Sequence, residues 1–168
     1  MKKLAATFFM AWMSFATASD ERFSMEDQGK FFIEQLATEI TQAERIVVTE
    51  HSNRFDTADP NADHTPIIYR AHTLDTAEKT YFLNTVNALD PETKNGFAGC
   101  IFVPHHTIQF YSQTRLTSTL EVCFECGDID WSGLHPTQPW ALVGGVGKLI
   151  NKIGFATERD WKSLATSR

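Results

Sequence analysis

The strongest constraint on the fold is a pair of alternating segments near the middle of the chain. In the first, the apolar residues Ile108 and Phe110 alternate with polar ones, and in the second Leu120 and Val122 do the same. Alternation of this kind is typical of strands with one buried face. Polar residues 112–118 predict a connecting loop, so the two segments form an antiparallel β-hairpin. Other elements must then cover the apolar face of this hairpin.

The spacing of apolar residues in the rest of the chain predicts the helices and strands that accompany this hairpin. The sequence predicts helices over 24–43, 75–89 and 140–153 and a short one from Thr157, and strands over 45–50, 66–73 and 128–131. Two of the helix starts carry capping boxes, Ser24 with Asp27 and Asp75 with Glu78. We therefore expect a single α+β domain in which helices pack on a small, mostly antiparallel sheet around the central hairpin.

Residues 1–18 have the pattern of a signal peptide. Lys2 and Lys3 precede an apolar run over 4–15, and Ala-Thr-Ala then forms a cleavage site at Ala18. The run is shorter than the ~20 apolar residues of a membrane span. The alternative is a buried N-terminal helix. We expect a mature domain over 19–168, in the periplasm or outside the cell, without a transmembrane span.

The charge of the chain limits its partners. The formal net charge is −6, and cleavage of the leader would remove two lysines and leave −8. An acidic surface argues against nucleic acid and against anionic membrane surfaces as partners. It would suit a basic protein or a cation.

Metal-capable side chains concentrate around the hairpin. Cys100, Cys123 and Cys126 are the only cysteines, and His105 and His106 lie between them. A hairpin returns its second strand beside its first, which brings the end at Cys123 towards His105 and Cys100. Pairing in register would place the three cysteines and one histidine in one small volume.

A structural zinc site is one interpretation of this cluster. Cys123-x-x-Cys126 followed by Gly127 resembles a zinc knuckle, in which two residues between the thiolates allow both to bind one ion. The second pair of ligands would be Cys100 with either His105 or His106, since neighbouring strand residues point to opposite faces. If one thiolate were missing, the open position could hold a metal-bound water.

A disulfide is the rival interpretation, and export favours it. Three cysteines allow one bond and leave one thiol, and spacing alone does not reveal which two pair. A bond from Cys100 to Cys123 would hold the base of the hairpin, whereas one from Cys123 to Cys126 would close a small reactive loop. Redox Cys-x-x-Cys pairs usually open a helix, but this pair follows a strand.

The remaining histidines carry no ligand spacing. His51, His64, His72 and His135 are scattered through polar segments, and we expect them in loops or on the surface. The turn-rich stretch 51–65 predicts an ordinary solvated loop.

Two motifs in the central stretch resemble those of a known group. Cys-x₃-Pro-His-His over 100–106, followed by Val-Cys-Phe-x-Cys over 122–126, is similar to segments in a group of uncharacterised bacterial secreted proteins and lipoproteins. The resemblance covers about residues 97–130, and residues 149–155 are also similar. It implies that Cys100, Pro104, His106, Cys123 and Cys126 act as a unit, and it implies no reaction.

These observations favour a binding protein over an enzyme. We expect an exported, non-enzymatic protein whose partner is another protein, for example an immunity-type protein that neutralises a toxin. The Cys/His cluster would be its structural metal site or disulfide. The alternative is a metal- or thiol-dependent enzyme that uses the same cluster as its active site.

Overall fold

A computed structural model describes residues 24–61, 63–93, 100–133 and 137–167, so the predicted signal peptide and His135 lie outside the described residues. The strands are β1 (Arg45–His51), β2 (Ile68–Thr73), β3 (His106–Ser112), β4 (Arg115–Cys123) and β5 (Asp128–Trp131). The helices are α1 (Met25–Gln42), α2 (Thr76–Asn87), α3 (Ala141–Lys152) and α4 (Trp161–Thr166), with a 3₁₀ turn at Arg54–Asp56.

The five strands form one sheet in the order β2-β1-β3-β4-β5, and every neighbouring pair is antiparallel. The predicted α+β fold with a central hairpin is confirmed, and β5 lies at one edge of the sheet. The hairpin loop is shorter than predicted, because only Gln113 and Thr114 separate β3 from β4. Gln113 adopts a positive φ of 55°, which allows this tight reversal.

One face of the sheet carries the core. Val48, Ile108, Leu120 and Trp131 face one another across four strands, and each is at most 5% exposed. The helices cover this inner face with further buried residues: Phe32, Leu36 and Ile40 from α1, Phe82 and Val86 from α2, and Leu142, Val146, Leu149 and Ile150 from α3. Burial of each such side chain contributes about 1.5–3 kcal/mol, so this layer dominates the stability of the fold.

Both predicted capping boxes are present. The Ser24 side chain accepts a hydrogen bond from the Asp27 backbone, and the Asp75 side chain accepts one from the Glu78 backbone. In return, the carboxylates of Asp27 and Glu78 accept hydrogen bonds from the backbone N–H of Ser24 and Asp75. Gly29 lies on the buried side of α1, where a Cβ would overlap the carbonyl oxygen of Pro91. Its role is therefore a close approach between the helix and the chain after α2.

The opposite face of the sheet is polar. Thr49, Thr107 and Glu121 lie side by side on this outer face, since their strand neighbours point into the core. The loop after β1 and the segment before β3 meet Glu121 at the end of this face and line a cleft there. Within the described ranges, no helix combines the length and apolar character needed to cross a membrane.

Candidate functional site

The structure joins two of the three cysteines. Cys123 and Cys126 form a disulfide with their Cα atoms 5.4 Å apart, whereas Cys100 is an exposed free thiol. The bond is thus the short one across the turn between β4 and β5, and no bond holds the base of the hairpin.

The two bonded sulfurs are therefore not thiolate ligands in this structure. Among the described residues, no three His, Cys, Asp or Glu side chains are grouped as they would be around a metal ion. A zinc site that uses Cys100, Cys123, Cys126 and a histidine stays a prediction for the reduced chain.

The two adjacent histidines are separated by the alternation of β3. His105 lies immediately before the strand, where its Nε2 contacts both carboxylate oxygens of Asp56, at 3.0 and 3.2 Å. The ring of Trp161 stacks on His105 with 4.3 Å between centroids. Asp56 also accepts a hydrogen bond of 2.6 Å from the backbone of Asn53. His105 therefore joins both the 3₁₀ turn, through Asp56, and α4, through Trp161, to the sheet.

His106 points into the core instead. Its side chain is fully buried, and its Nε2 donates to the carbonyl oxygen of Ala156 at 2.9 Å. The ring also meets Phe124 edge-on, with centroids 5.1 Å apart. Burial lowers the pKa of His106 to about 4, so the imidazole is neutral at pH 7. Its Nδ1 has no hydrogen-bond partner among the residues that the structure describes.

A buried acidic residue faces His106 across the sheet. Glu50 pairs with His106 in the register of β1 and β3 and is 0% exposed. Arg159 Nε lies 3.0 Å from Glu50 Oε1, close enough for an ion pair but without the alignment of a hydrogen bond. Burial raises the pKa of Glu50, and the charges of Arg159 and Arg70 act in the opposite direction. The prediction from sequence missed Glu50, although its place two residues after Val48 in the alternation of β1 marks it as inward-facing.

The outer face carries a cleft of about 580 Å³. It lies between the loop after β1, the segment before β3 and Glu121 of β4. Its lining residues are His51, Ser52, Asn53, Arg54, Phe55, Pro60, Asn61, Asp63, His64, Pro66, Phe102, Pro104 and Glu121. The stretch predicted as an ordinary solvated loop therefore forms most of a cleft wall.

Hydrogen bonds inside the wall hold its shape. Ser52 Oγ accepts from the backbone of Ile67 at 2.8 Å and lies 3.3 Å from His64 Nε2. Asn53 Nδ2 donates to the carbonyl of Pro104 at 3.3 Å, which links the two segments that flank the cleft. The cleft is thus built on fixed chain segments at the ends of strands.

His51 was predicted to lie in a loop or on the surface, and this prediction is wrong. The residue is the last of β1 and only 8% exposed, because the strand continues one residue beyond the predicted range 45–50. Its Nδ1 lies 3.0 Å from the carbonyl oxygen of Ser52, and its Nε2 lies 2.8 Å from Thr107 Oγ1. Burial lowers its pKa, so the ring is neutral at pH 7. Nδ1 then donates to the carbonyl oxygen, and Nε2 accepts from the threonine hydroxyl.

His64 and His72 have separate surroundings. His64 is half-buried in the cleft wall, whereas His72 lies on β2 with its Nε2 2.7 Å from Glu78. The sequence placed His64 in the predicted loop 51–65 and His72 in the predicted strand 66–73, but it did not indicate the partner of either histidine.

Comparison with known proteins supplied no relative. No family model matches the chain, and neither a curated protein nor a solved structure matches it at a significant level.

Proposed function

We propose that this chain is an exported binding protein whose ligand occupies the cleft on the outer face of the sheet. The observation that carries the proposal is the cleft itself, with its volume of about 580 Å³. Small-molecule sites in proteins typically have volumes of about 300–1,000 Å³. Loops held on a rigid scaffold are also where binding residues concentrate.

The lining indicates the chemistry of the ligand. Phe55 and Phe102 offer apolar rings, Arg54 offers a cation, and Asp63 and Glu121 offer carboxylates. A ligand with an apolar group and charges of both signs would meet all three kinds of side chain. An amino acid or a short peptide has this character, either free or as an exposed segment of a protein partner.

The polar groups at the inner end of the cleft support binding rather than catalysis. Both ring nitrogens of His51 have partners, and the Ser52 hydroxyl already accepts a backbone hydrogen bond. A general base must reach the proton that it removes. These groups therefore serve better as a preformed wall for a ligand than as a proton-transfer site.

Export is part of the proposal and rests on residues 1–18. Intact-mass measurement of protein recovered from the periplasm or the medium of an expressing bacterium tests it. A mature chain that begins at Ser19 supports export, whereas full-length protein in the cytoplasm would argue against it.

Binding can be tested with a defined panel of probes. We would measure the affinity of the full mature chain for phenylalanine, for Phe-Arg and Phe-Glu dipeptides and for glucose by isothermal titration calorimetry. The proposal expects a dipeptide to bind and glucose not to bind. Glu121→Gln should weaken binding of the cationic dipeptide about tenfold, the effect of losing one charge-assisted hydrogen bond.

Glu44→Gln is the matched control, because it removes the same charge from an exposed residue at the opposite end of β1. It should leave the affinity unchanged. Failure of every amino-acid probe to bind, or an equal loss of affinity in both variants, would contradict the proposed ligand class.

A further inference from the structure

We propose that Cys123–Cys126 is an exchangeable disulfide, attacked at Cys126 by neutral or cationic thiols, with Cys123 as the leaving group. This activity is independent of ligand binding in the cleft. The argument starts from the place of the bond, which closes the turn between β4 and β5. Cys123 pairs with Asp128 across this turn, and Gly127 adopts a φ of +64° that the reversal requires.

The two sulfurs differ in access. Cys123 is only 2% exposed, whereas Cys126 is half-buried and stands between the exposed residues Glu125 and Gly127. Thiol–disulfide exchange requires a thiolate to reach one sulfur while the other departs. The exposures of the two residues therefore direct an incoming thiolate to Cys126.

A backbone hydrogen-bond donor lies beside the departing sulfur. The backbone N–H of Cys126 donates to Cys123 Sγ at 3.2 Å. A hydrogen bond to the charged form of a group favours that form, so this donor stabilises the thiolate that forms on Cys123. A better-stabilised leaving thiolate departs faster.

The turn has anchors besides the disulfide. Phe124 packs edge-on against His106, and its ring reaches α3 near Gly147. The backbone of Gly127 also donates to the carbonyl of Phe124 at 3.2 Å. These contacts hold the turn when the bond opens, so the two thiols stay close enough to re-form it.

Charge selects the substrate class. Glu125 is exposed in the turn itself, Asp128 faces Cys123 across the strand pair, and the whole chain is acidic. Two unit charges about 7 Å apart in water change a rate about threefold through their Coulomb energy. Anionic thiols should therefore react more slowly than neutral ones, and cationic thiols faster.

The exchange balances in two steps. A thiolate forms a bond to Cys126 Sγ, and the Cys123–Cys126 bond breaks with its electron pair on Cys123 Sγ. A second thiolate then attacks the sulfur of the first reagent and releases Cys126 as a thiolate, which takes a proton from water. The net change moves two electrons from two thiols to the protein and leaves the reagent as its disulfide.

The first test identifies the attacked sulfur. The full mature chain carrying Cys100→Ser would be treated with cysteamine, quenched with iodoacetamide and digested for peptide mass spectrometry. We expect cysteamine on Cys126 and the alkyl group on Cys123. The opposite arrangement would overturn the assignment of attacking and leaving sulfurs.

The second test separates native exchange from exchange after unfolding. The rate should be proportional to thiolate concentration and unchanged by urea below the unfolding transition. A rate that rises with urea in step with the population of unfolded chain would show that the bond reacts only when the protein opens, and would overturn the proposal.

The third test concerns charge. The rates of cysteamine, 2-mercaptoethanol and 3-mercaptopropionate would each be divided by the rate of the same thiol with the uncharged 2-hydroxyethyl disulfide, because a less basic thiolate is intrinsically less nucleophilic. These normalised rates should fall in that order, with about threefold between neighbours at low salt and convergence at high salt. Glu125→Gln should reduce, by about threefold, the ratio of exchange rates between two thiols that differ by one charge. The remote Glu44→Gln should leave this ratio unchanged. Equal normalised rates for all three thiols would overturn the substrate class.

Discussion

Glu50 and His106 place two ionisable side chains on the face of the sheet that otherwise carries the core. Each is fully buried, and they pair across β1 and β3. Arg159 lies beside the carboxylate, and the Ala156 carbonyl accepts from the imidazole. Both partners belong to the chain after α3, so these two residues decide how that segment attaches to the sheet.

The ion pair gives a prediction about stability. Arg159→Gln leaves the Glu50 carboxylate buried without its cation, and we expect a loss of about 2 kcal/mol, since Arg159 is itself partly exposed. Urea unfolding at pH 7 measures this loss. The double variant with Glu50→Gln should recover most of it, because no charge then stays buried; a double variant less stable than Arg159→Gln alone would argue against this account.

His106 gives a prediction about pH. Its folded pKa of about 4 lies below the ordinary 6.5, so the unfolded chain binds the proton more tightly. This difference in pKa contributes about 3 kcal/mol to the free energy of unfolding. The contribution is fully present above pH 6.5 and is lost as the pH falls to about 4. Glu50, whose pKa is raised, acts with the opposite sign: it destabilises the fold once ionised in the unfolded chain, and this cost disappears as the pH falls.

The difference between two proteins isolates the contribution of His106. Unfolding free energies of the wild type and of His106→Gln, whose amide keeps a donor for Ala156, would be measured between pH 7 and pH 4. The wild type should lose about 3 kcal/mol more than the variant over this interval. Parallel pH profiles would show that His106 is protonated without penalty in the fold.

At the scale of elements, two glycines in helices have different reasons to be there. Gly29 lies where α1 touches Pro91, whereas a Cβ on Gly144 of α3 would have no described residue packed against it within 4 Å outside its own stretch of helix. We expect Gly29→Ala to destabilise the protein by more than 2 kcal/mol through overlap with the backbone, about the range of overpacking. Gly144→Ala should stabilise it by about 0.5–1 kcal/mol through helix propensity. Thermal unfolding compares them, and a stable Gly29→Ala would contradict the close contact.

At the scale of the whole molecule, the chain after α3 closes one end of the sheet. Gly154 accepts from Arg70 Nη1 at 2.6 Å, and Trp161 stacks on His105 and on Tyr69. Residues far apart in sequence meet here, since β2, β3, the 3₁₀ turn and α4 all contribute. This closure holds the 3₁₀ turn, and with it the start of the cleft wall.

Trp161 is the anchor of this closure. Trp161→Ala removes a side chain that is 4% exposed, and we expect a loss of about 3 kcal/mol. Trp140→Ala, at a position that is 52% exposed, is the matched control and should lose much less. Equal losses in urea unfolding would contradict the role assigned to α4.

The disulfide should matter little to the stability of the whole fold. It closes a loop of only four residues, so removing the bond increases the conformational entropy of the unfolded chain only slightly. The expected loss in the free energy of unfolding is about 2 kcal/mol. The variant with Cys123→Ser and Cys126→Ser should therefore stay folded at 25 °C by circular dichroism. Complete unfolding of this variant would show that the bond is an essential structural link.

Local pattern by itself determined most of the elements. The alternation of Ile108 and Phe110 and the capping boxes at Ser24 and Asp75 predicted the hairpin, its buried face and two helix starts correctly. These signals succeed because hydrogen bonding and periodicity act over three to seven residues. Residues 115–118 were predicted as loop and concealed the start of β4, because three of these four residues are exposed and most are polar.

The tertiary structure alone decided the sites. Which cysteines pair depends on distances in space, and the turn after β4 placed Cys126 beside Cys123 while Cys100 stayed apart as a free thiol. The partners of His105 and His106, Asp56 and Ala156, are about fifty residues away along the chain. The cleft likewise arises where the loop after β1 meets the segment before β3. Contacts of this kind depend on how whole elements pack, and no local pattern specifies them.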